Sequence, residues 1–236
     1  MLDITIDLET CALCPTAAVM SVGAVAWNRH NIESPFFTVS KDSNKLDADC
    51  VFSAHVDLRS MFVDGFTFDA ETAKWWSMQS EKAKEAVLEW DGEERTCFTI
   101  ESVIRHFIEW VEDVKVATGE TDVCLWSQGS DFDIAILRNI CYKYGIKIPV
   151  CYKDFRDHRT FFMEGAHVIC DLAGVDFDPK RAYTLVDELE GECVAHDPVS
   201  DCKRSIYSTW QMMRHLHCFR RDEARDVVTK ALDKQK

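Results

Sequence analysis

The sequence predicts a single α/β domain built on a mixed sheet, and three observations carry that reading. Its first forty residues hold three short apolar stretches with strand-like alternation. From Asp69 the apolar period lengthens to that of helices, with one further compact strand between them. The 236-residue chain is 47% hydrophobic and 11% aromatic, enough for one sizeable core and too apolar for a disordered chain.

The elements follow in order. Ile4-Thr5-Ile6-Asp7-Leu8 alternates apolar and polar residues, as a strand with one buried face does. Ala18 to Trp27 is small and apolar and reads as a central strand, and Ser34 to Val39 reads as a third. Three short strands in succession predict an antiparallel meander. A helical stretch starts at Asp69 and carries Trp75, Trp76 and Met78 through to Val87. A second helix follows Thr99, with Val103, Ile104, Phe107, Ile108 and Val111 on one stripe. Val123 to Trp126 is a strand, Ser127 to Ser130 a turn, and Ile134 to Cys141 a helix that Gly145 caps. A helix near Thr160–Leu172, a loop at Asp176–Pro179 and a last helix from Pro198 through Ile206 and Met212 complete the chain.

With 27 basic and 41 acidic residues the net charge is −14, which argues against a protein that coats duplex DNA by charge alone. The segment from Lys203 to the end runs the other way, with nine basic and four acidic residues. No apolar run approaches a bilayer-spanning length and no secretory signal is visible, so no membrane partner and a cytoplasmic location are expected. The eleven scattered cysteines then read as free thiols in a reducing compartment. Cys11 and Cys14 have the spacing of half a zinc site, but a matching second pair is missing.

Three short patterns bear on chemistry. Asp7 and Glu9, two apart at a strand end, share a face; they are either solvated acids on an edge strand or ligands of a divalent cation, which relieves their repulsion. Asp133 follows Phe132 at a helix start, where Ser130 to Asp133 also fits a capping box, with Asp131 suited to an ordinary helix-start role. His196 precedes Pro198 in a loop and Asp201 lies one turn into the last helix. Each pattern has a bland reading as a cap or surface acid. In this order they form a set: four carboxylates to hold two metals about 4 Å apart, and a histidine to take a proton from water.

That set resembles the DnaQ-like, DEDDh family of 3′–5′ exonucleases. Asp7-Leu8-Glu9 is similar to its first motif, Trp126 to Leu137 to its second and Val194 to Cys202 to its third. Lys74 to Ser80 resembles the Trp-Trp-x-x-Gln signature of the exonuclease VIII/Rv2179c-like branch. Asp157-His158-Arg159-Thr160 resembles a segment of the T-even phage exonuclease A group. The likeness spans roughly Leu2 to Met213 and departs from the pattern at Cys11-Ala12 and beyond Arg220.

The resemblance implies an RNase H-like fold, a mixed five-stranded sheet flanked by helices, over residues 1–216 with a helical tail at 217–236. It implies a metal-dependent 3′–5′ exodeoxyribonuclease releasing 5′-mononucleotides from single-stranded or frayed DNA 3′ ends. An exoribonuclease is the nearest alternative, and a non-catalytic nucleic-acid-binding module a further one. Asp7, Glu9, Asp133 and Asp201 would hold two Mg²⁺ ions, with Mn²⁺ able to substitute, and His196 would be the base. Thr10, Trp75, Trp76, Gln79, Phe132 and Arg159 are the expected substrate contacts. One of the two tryptophans should pack in the core, since adjacent helical positions point about 100° apart, and the other should meet a base. Arg159 would hold a phosphate or make a structural salt bridge. Oligomeric state is not legible.

Overall fold

The structure, a computed structural model, describes residues 1–37, 50–88, 97–191 and 193–218. Five strands form one sheet in the order β3-β2-β1-β4-β5. β1 (Leu2–Thr10) is central, antiparallel to β2 (Val19–Trp27) on one side and parallel to β4 (Val123–Ser127) on the other. β3 (Val51–His55) extends the meander beyond β2, and β5 (Phe155–Asp157) lies parallel beyond β4. This is the RNase H-like arrangement that the motifs implied. Among the described residues, no helix is long and apolar enough to cross a membrane.

The alternation in β1 splits the core in two. Leu2, Ile4, Ile6 and Leu8 pack on one face against the apolar stripes of α4 (Ile100–Thr118) and α5 (Asp133–Lys143). Each fully buried side chain of this kind contributes roughly 1.5–3 kcal/mol. The opposite face carries Trp27 and Trp126, covered by Cys202, Ile206 and Trp210 of α7 (Pro198–Cys218). α6 (His158–Ala173) packs beside α7 through Phe162, Ala166 and Met212. The polar positions of β1 are thus aimed into the seam between sheet and α6/α7.

Gly23 sets how closely α7 approaches. It pairs with Asp7 across β1 and β2, and a Cβ there would stand 2.7 Å from the Pro198 carbonyl carbon. Lacking one, it lets the first turn of α7 settle on β2 beside Asp7.

Several expectations need correction. The stretch Ser34–Val39 is not a described strand: Phe36 makes a single bridge to Trp27, and residues from 38 lie outside the described region. Pro35 has no N–H to give a ladder, and Phe36 and Phe37 instead pack against the core. The third described strand is β3, and α1 (Leu58–Val63) follows it unannounced. The helix expected from Asp69 is two helices, α2 (Ala70–Ser77) and α3 (Glu81–Leu88). Gln79 Nε2 donates to the Trp75 carbonyl at the end of α2, and Ser80 Oγ accepts from Ala83 N–H to start α3. The capping box at Ser130–Asp133 does not form, because α5 starts after Phe132 with no side-chain cap. Asp178 caps a 3₁₀ turn at Pro179–Leu185, directly after the loop expected at Asp176–Pro179. Gly145, with φ 62°, does end α5, and its neighbour Ile146 N–H returns to the Cys141 carbonyl. α7 runs through the expected boundary at residue 216 to Cys218, and the rest of the tail lies outside the described residues.

Candidate active site

The C-terminal end of β1 delivers Asp7 and Glu9, the start of α5 delivers Asp133, and the first turn of α7 delivers Asp201. β1 is central rather than an edge strand and Glu9 is buried, so neither acid is a surface ornament. Asp133 is 3% exposed, and its Oδ1 accepts the Leu8 backbone N–H at 3.1 Å, which ties α5 to the end of β1. The α7 start is set by Asp197, whose carboxylate accepts Ser200 N–H at 2.8 Å.

These acids are short of counter-charge. Burial, then the neighbouring carboxylates Asp133, Glu9 and Asp201, hold Asp7 well above the usual carboxylate range. Burial and the charges of Asp201 and Asp133 push Glu9 to about 8. Burial raises Asp133 to about 7 against the opposing Leu8 hydrogen bond, and raises Asp201 against the opposing charge of Arg204. A cluster of this kind takes up protons or cations. Hard oxygen donors from three elements suit Mg²⁺ or Mn²⁺, so the residues present fit the divalent ions that the motifs implied.

His196 stands at the mouth. Its Nδ1 is 3.9 Å from Glu9 Oε1, and one ligand atom from each of Glu9, His196 and Asp201 falls within 4.8 Å of the others. Its backbone has φ 63°, the single positive value among the described non-glycine residues, at a cost of about 1–2 kcal/mol.

Beside the carboxylates an apolar cavity of about 440 Å³ is lined by Leu8, Glu9, Leu13, Trp75, Trp76 and Phe132. The two tryptophans divide as expected. Trp76 is buried and its Nε1 donates to the Thr10 carbonyl at 2.9 Å, while Trp75 is 40% exposed on the cavity wall. Thr10 Oγ1 turns inward to the Ala12 carbonyl at 2.8 Å, and Gln79 is engaged at the end of α2, so both side chains do local structural work. Arg159 is exposed over Gly129 at the β4–α5 turn and adds a positive charge near Asp133. Asp157 caps α6 through Thr160 N–H and also accepts Ser130 N–H at 2.5 Å, which locks that turn in place.

A second cavity, about 610 Å³, opens on the other side of Asp7 and Asp201, with Gln128, Tyr183, Arg204 and Ser208 in its wall. Arg204 was not anticipated. It is paired with Asp201 and its charge also favours ionisation of Asp7 and Glu9. Its spacing of three from Asp201 on a helix was the available signal. Cys11 and Cys14 join no metal cluster among the described residues.

The model of the Rv2179c-like 3′–5′ exoribonuclease domain matches residues 2–203. The chain belongs to that family. No curated protein matches it. Among solved structures this Rv2179c-like chain is similar to cell-death related nuclease 4 (CRN-4), with a TM-score of 0.55 at 14% identity over 91% of the chain. It spans 64% of the CRN-4 chain. The nuclease domain of 3′hExo, a DEDDh family member bound to rAMP, aligns with 91% of this chain and 92% of its own, at 15% identity and a TM-score of 0.49. At these identities the likeness to CRN-4 speaks for the fold, and the Rv2179c-like family match carries the kinship.

Proposed function

We propose that this Rv2179c-like domain is a divalent-metal-dependent 3′–5′ exonuclease that removes 5′-mononucleotides from single-stranded 3′ ends, with RNA as its favoured substrate. The convergence of Asp7, Glu9, Asp133 and Asp201 from three elements beside His196 carries the reading. The family's description as exoribonuclease supports RNA over the DNA that the phage-like motifs suggested.

When bound at the four carboxylates, divalent cations supply positive charge for the attacking and leaving oxygens of an in-line displacement and acidify water. The carboxylates would hold and space that charge, and the charge they hold would offset the repulsion between the acidic protein and a phosphodiester. His196 at the mouth takes the proton of the attacking water. Trp75 and Phe132 flank the terminal base in the apolar cavity, where stacking is worth about 1–3 kcal/mol per base. Arg159 and Arg204 are the cations placed to meet phosphate oxygens on either side.

The test is incubation of 5′-labelled RNA and DNA oligonucleotides side by side with Mg²⁺, with and without EDTA. Stepwise shortening from the 3′ end, faster on RNA and stopped by EDTA, is expected. Faster shortening of DNA restores the exodeoxyribonuclease reading. Binding without shortening of either strand overturns the enzyme in favour of a binding module.

A further inference from the structure

Trp75 touches both halves of the proposed reaction centre. Its ring lines the apolar cavity with Phe132 and Leu13 and is part-exposed there. The ring also meets the His196 imidazole edge to face, with centroids 4.9 Å apart and planes at 80°. Trp76 backs the arrangement: it is anchored to the Thr10 carbonyl and meets Trp75 at 5.1 Å and His196 at 5.7 Å.

The imidazole itself is lightly held. Its carboxylate neighbour Glu9 is 3.9 Å away, outside hydrogen-bond reach. Its backbone is in the left-handed region, which a non-glycine residue keeps only where surroundings impose it. The contacts that orient the ring are therefore aromatic, and the nearer of the two tryptophans is the exposed one.

We infer that Trp75 is a positioning residue that couples the terminal base to the histidine: a base stacked on the exposed indole fixes it, and the indole's contact fixes the imidazole. The inference rests on the proposed exonuclease function. It makes a 3′-terminal base a requirement for turnover as well as for binding, because a general base displaced by about 1 Å loses around 10²-fold in rate. A substrate that binds through its phosphates alone would be held but cleaved slowly.

The experiment compares wild type, Trp75→Leu and Trp75→Phe on RNA with an ordinary 3′ end and on RNA whose 3′-terminal nucleotide is abasic, in single-turnover kinetics with Mg²⁺. Wild-type kcat should fall about 10–10²-fold on the abasic end. Trp75→Leu should show the same loss on the ordinary end and little further loss on the abasic one, and Trp75→Phe should recover most of the rate. A readout independent of turnover is the His196 Cε1–H resonance, assigned by its disappearance in His196→Gln. It should shift when 5′-AMP is added to wild type and stay put in Trp75→Leu. Losses that multiply across variant and substrate, or a Trp75→Leu protein with raised KM and unchanged kcat, overturn the coupling. Absence of turnover in wild type overturns the proposed function instead, and the resonance alone then decides the coupling.

Discussion

Two polar clusters lie in the seam between β1 and the α6/α7 layer, a few residues apart on the same strand, and they are built on opposite principles. Toward the start of β1, the charged and ionisable groups have their complement, while the buried Trp27 Nε1–H beside them has no partner. Asp3 takes both arms of Arg29 and the Trp126 Nε1–H at 2.8 Å. His158, 1% exposed, is fixed by Thr5 Oγ1 at 2.9 Å and Thr209 Oγ1 at 2.7 Å, with its ring against Trp126. Toward the end of β1, Asp7, Glu9, Asp133 and Asp201 share too little positive charge, and Glu9 and Asp133 hold their protons to about 8 and about 7. The first cluster completes itself and stabilises the fold. The second is left short of positive charge, which a bound divalent cation would supply.

The sharpest way to break the comparison is to remove a carboxylate. Asp133→Ala should lower turnover roughly 10³–10⁵-fold, because the held charge supplies several kcal/mol to the transition state. It should also weaken Mn²⁺ binding measured by electron paramagnetic resonance. His196→Ala comes next, with turnover lower by about 10²–10⁴-fold and metal binding nearly intact, since the four carboxylates remain. A His196→Ala protein with wild-type turnover would leave the metal site standing and remove the base.

The self-completed cluster should answer in stability. His158→Leu strands the Thr5 and Thr209 hydroxyls in the core, at a cost of about 2–5 kcal/mol in urea unfolding. A cost near zero would mean that this network is ornamental.

Opposite pH slopes give the gentlest test. Burial pushes His158 down to about 3, so below pH ~6.5 the unfolded chain binds a proton that the native one refuses. That stability is present above pH ~6.5 and is lost as pH falls toward 3. Glu9 and Asp133 are raised, so between pH ~4 and 8 the native metal-free protein holds more protons than the unfolded chain. Its stability should therefore fall as pH rises through that window, by up to about 1.4 kcal/mol per pH unit for each group, and Mg²⁺ should reverse the fall. Urea unfolding curves at pH 5 and pH 8, with and without Mg²⁺, measure it. A metal-free protein that gains stability across this window would contradict the account of the carboxylates.

Much of this was legible before the structure, for physical reasons that can be named. β1 and β2 could be read because burial forces apolar alternation or a fully apolar run, and α4 because its stripe is long and capped by Thr99. β3 escaped because Val51–His55 is a half-buried edge strand whose pattern is weak, and β5 because three residues carry no period. The four carboxylates and His196 were visible as spacing, since each sits at the end of an element with a clear signal. What spacing cannot show is which neighbour a side chain meets. Trp75 and Trp76 look equivalent in sequence, and only the Thr10 carbonyl decides that Trp76 turns inward. Arg204 was passed over because a basic residue one helical turn from an acid is the commonest of surface pairs.

On the proposed function, the end of β1 is an incomplete cluster that divalent cations would finish. Calorimetric titration of the metal-free protein with Mn²⁺ at pH 7, in two buffers of different ionisation enthalpy, tests it most directly. Because Glu9 and Asp133 hold protons to about 8 and about 7, filling the site must expel them. Saturable binding with release of at least one proton per chain is expected, both diminished in Asp133→Ala. Absence of saturable binding, or binding with the same heat in both buffers, would contradict it.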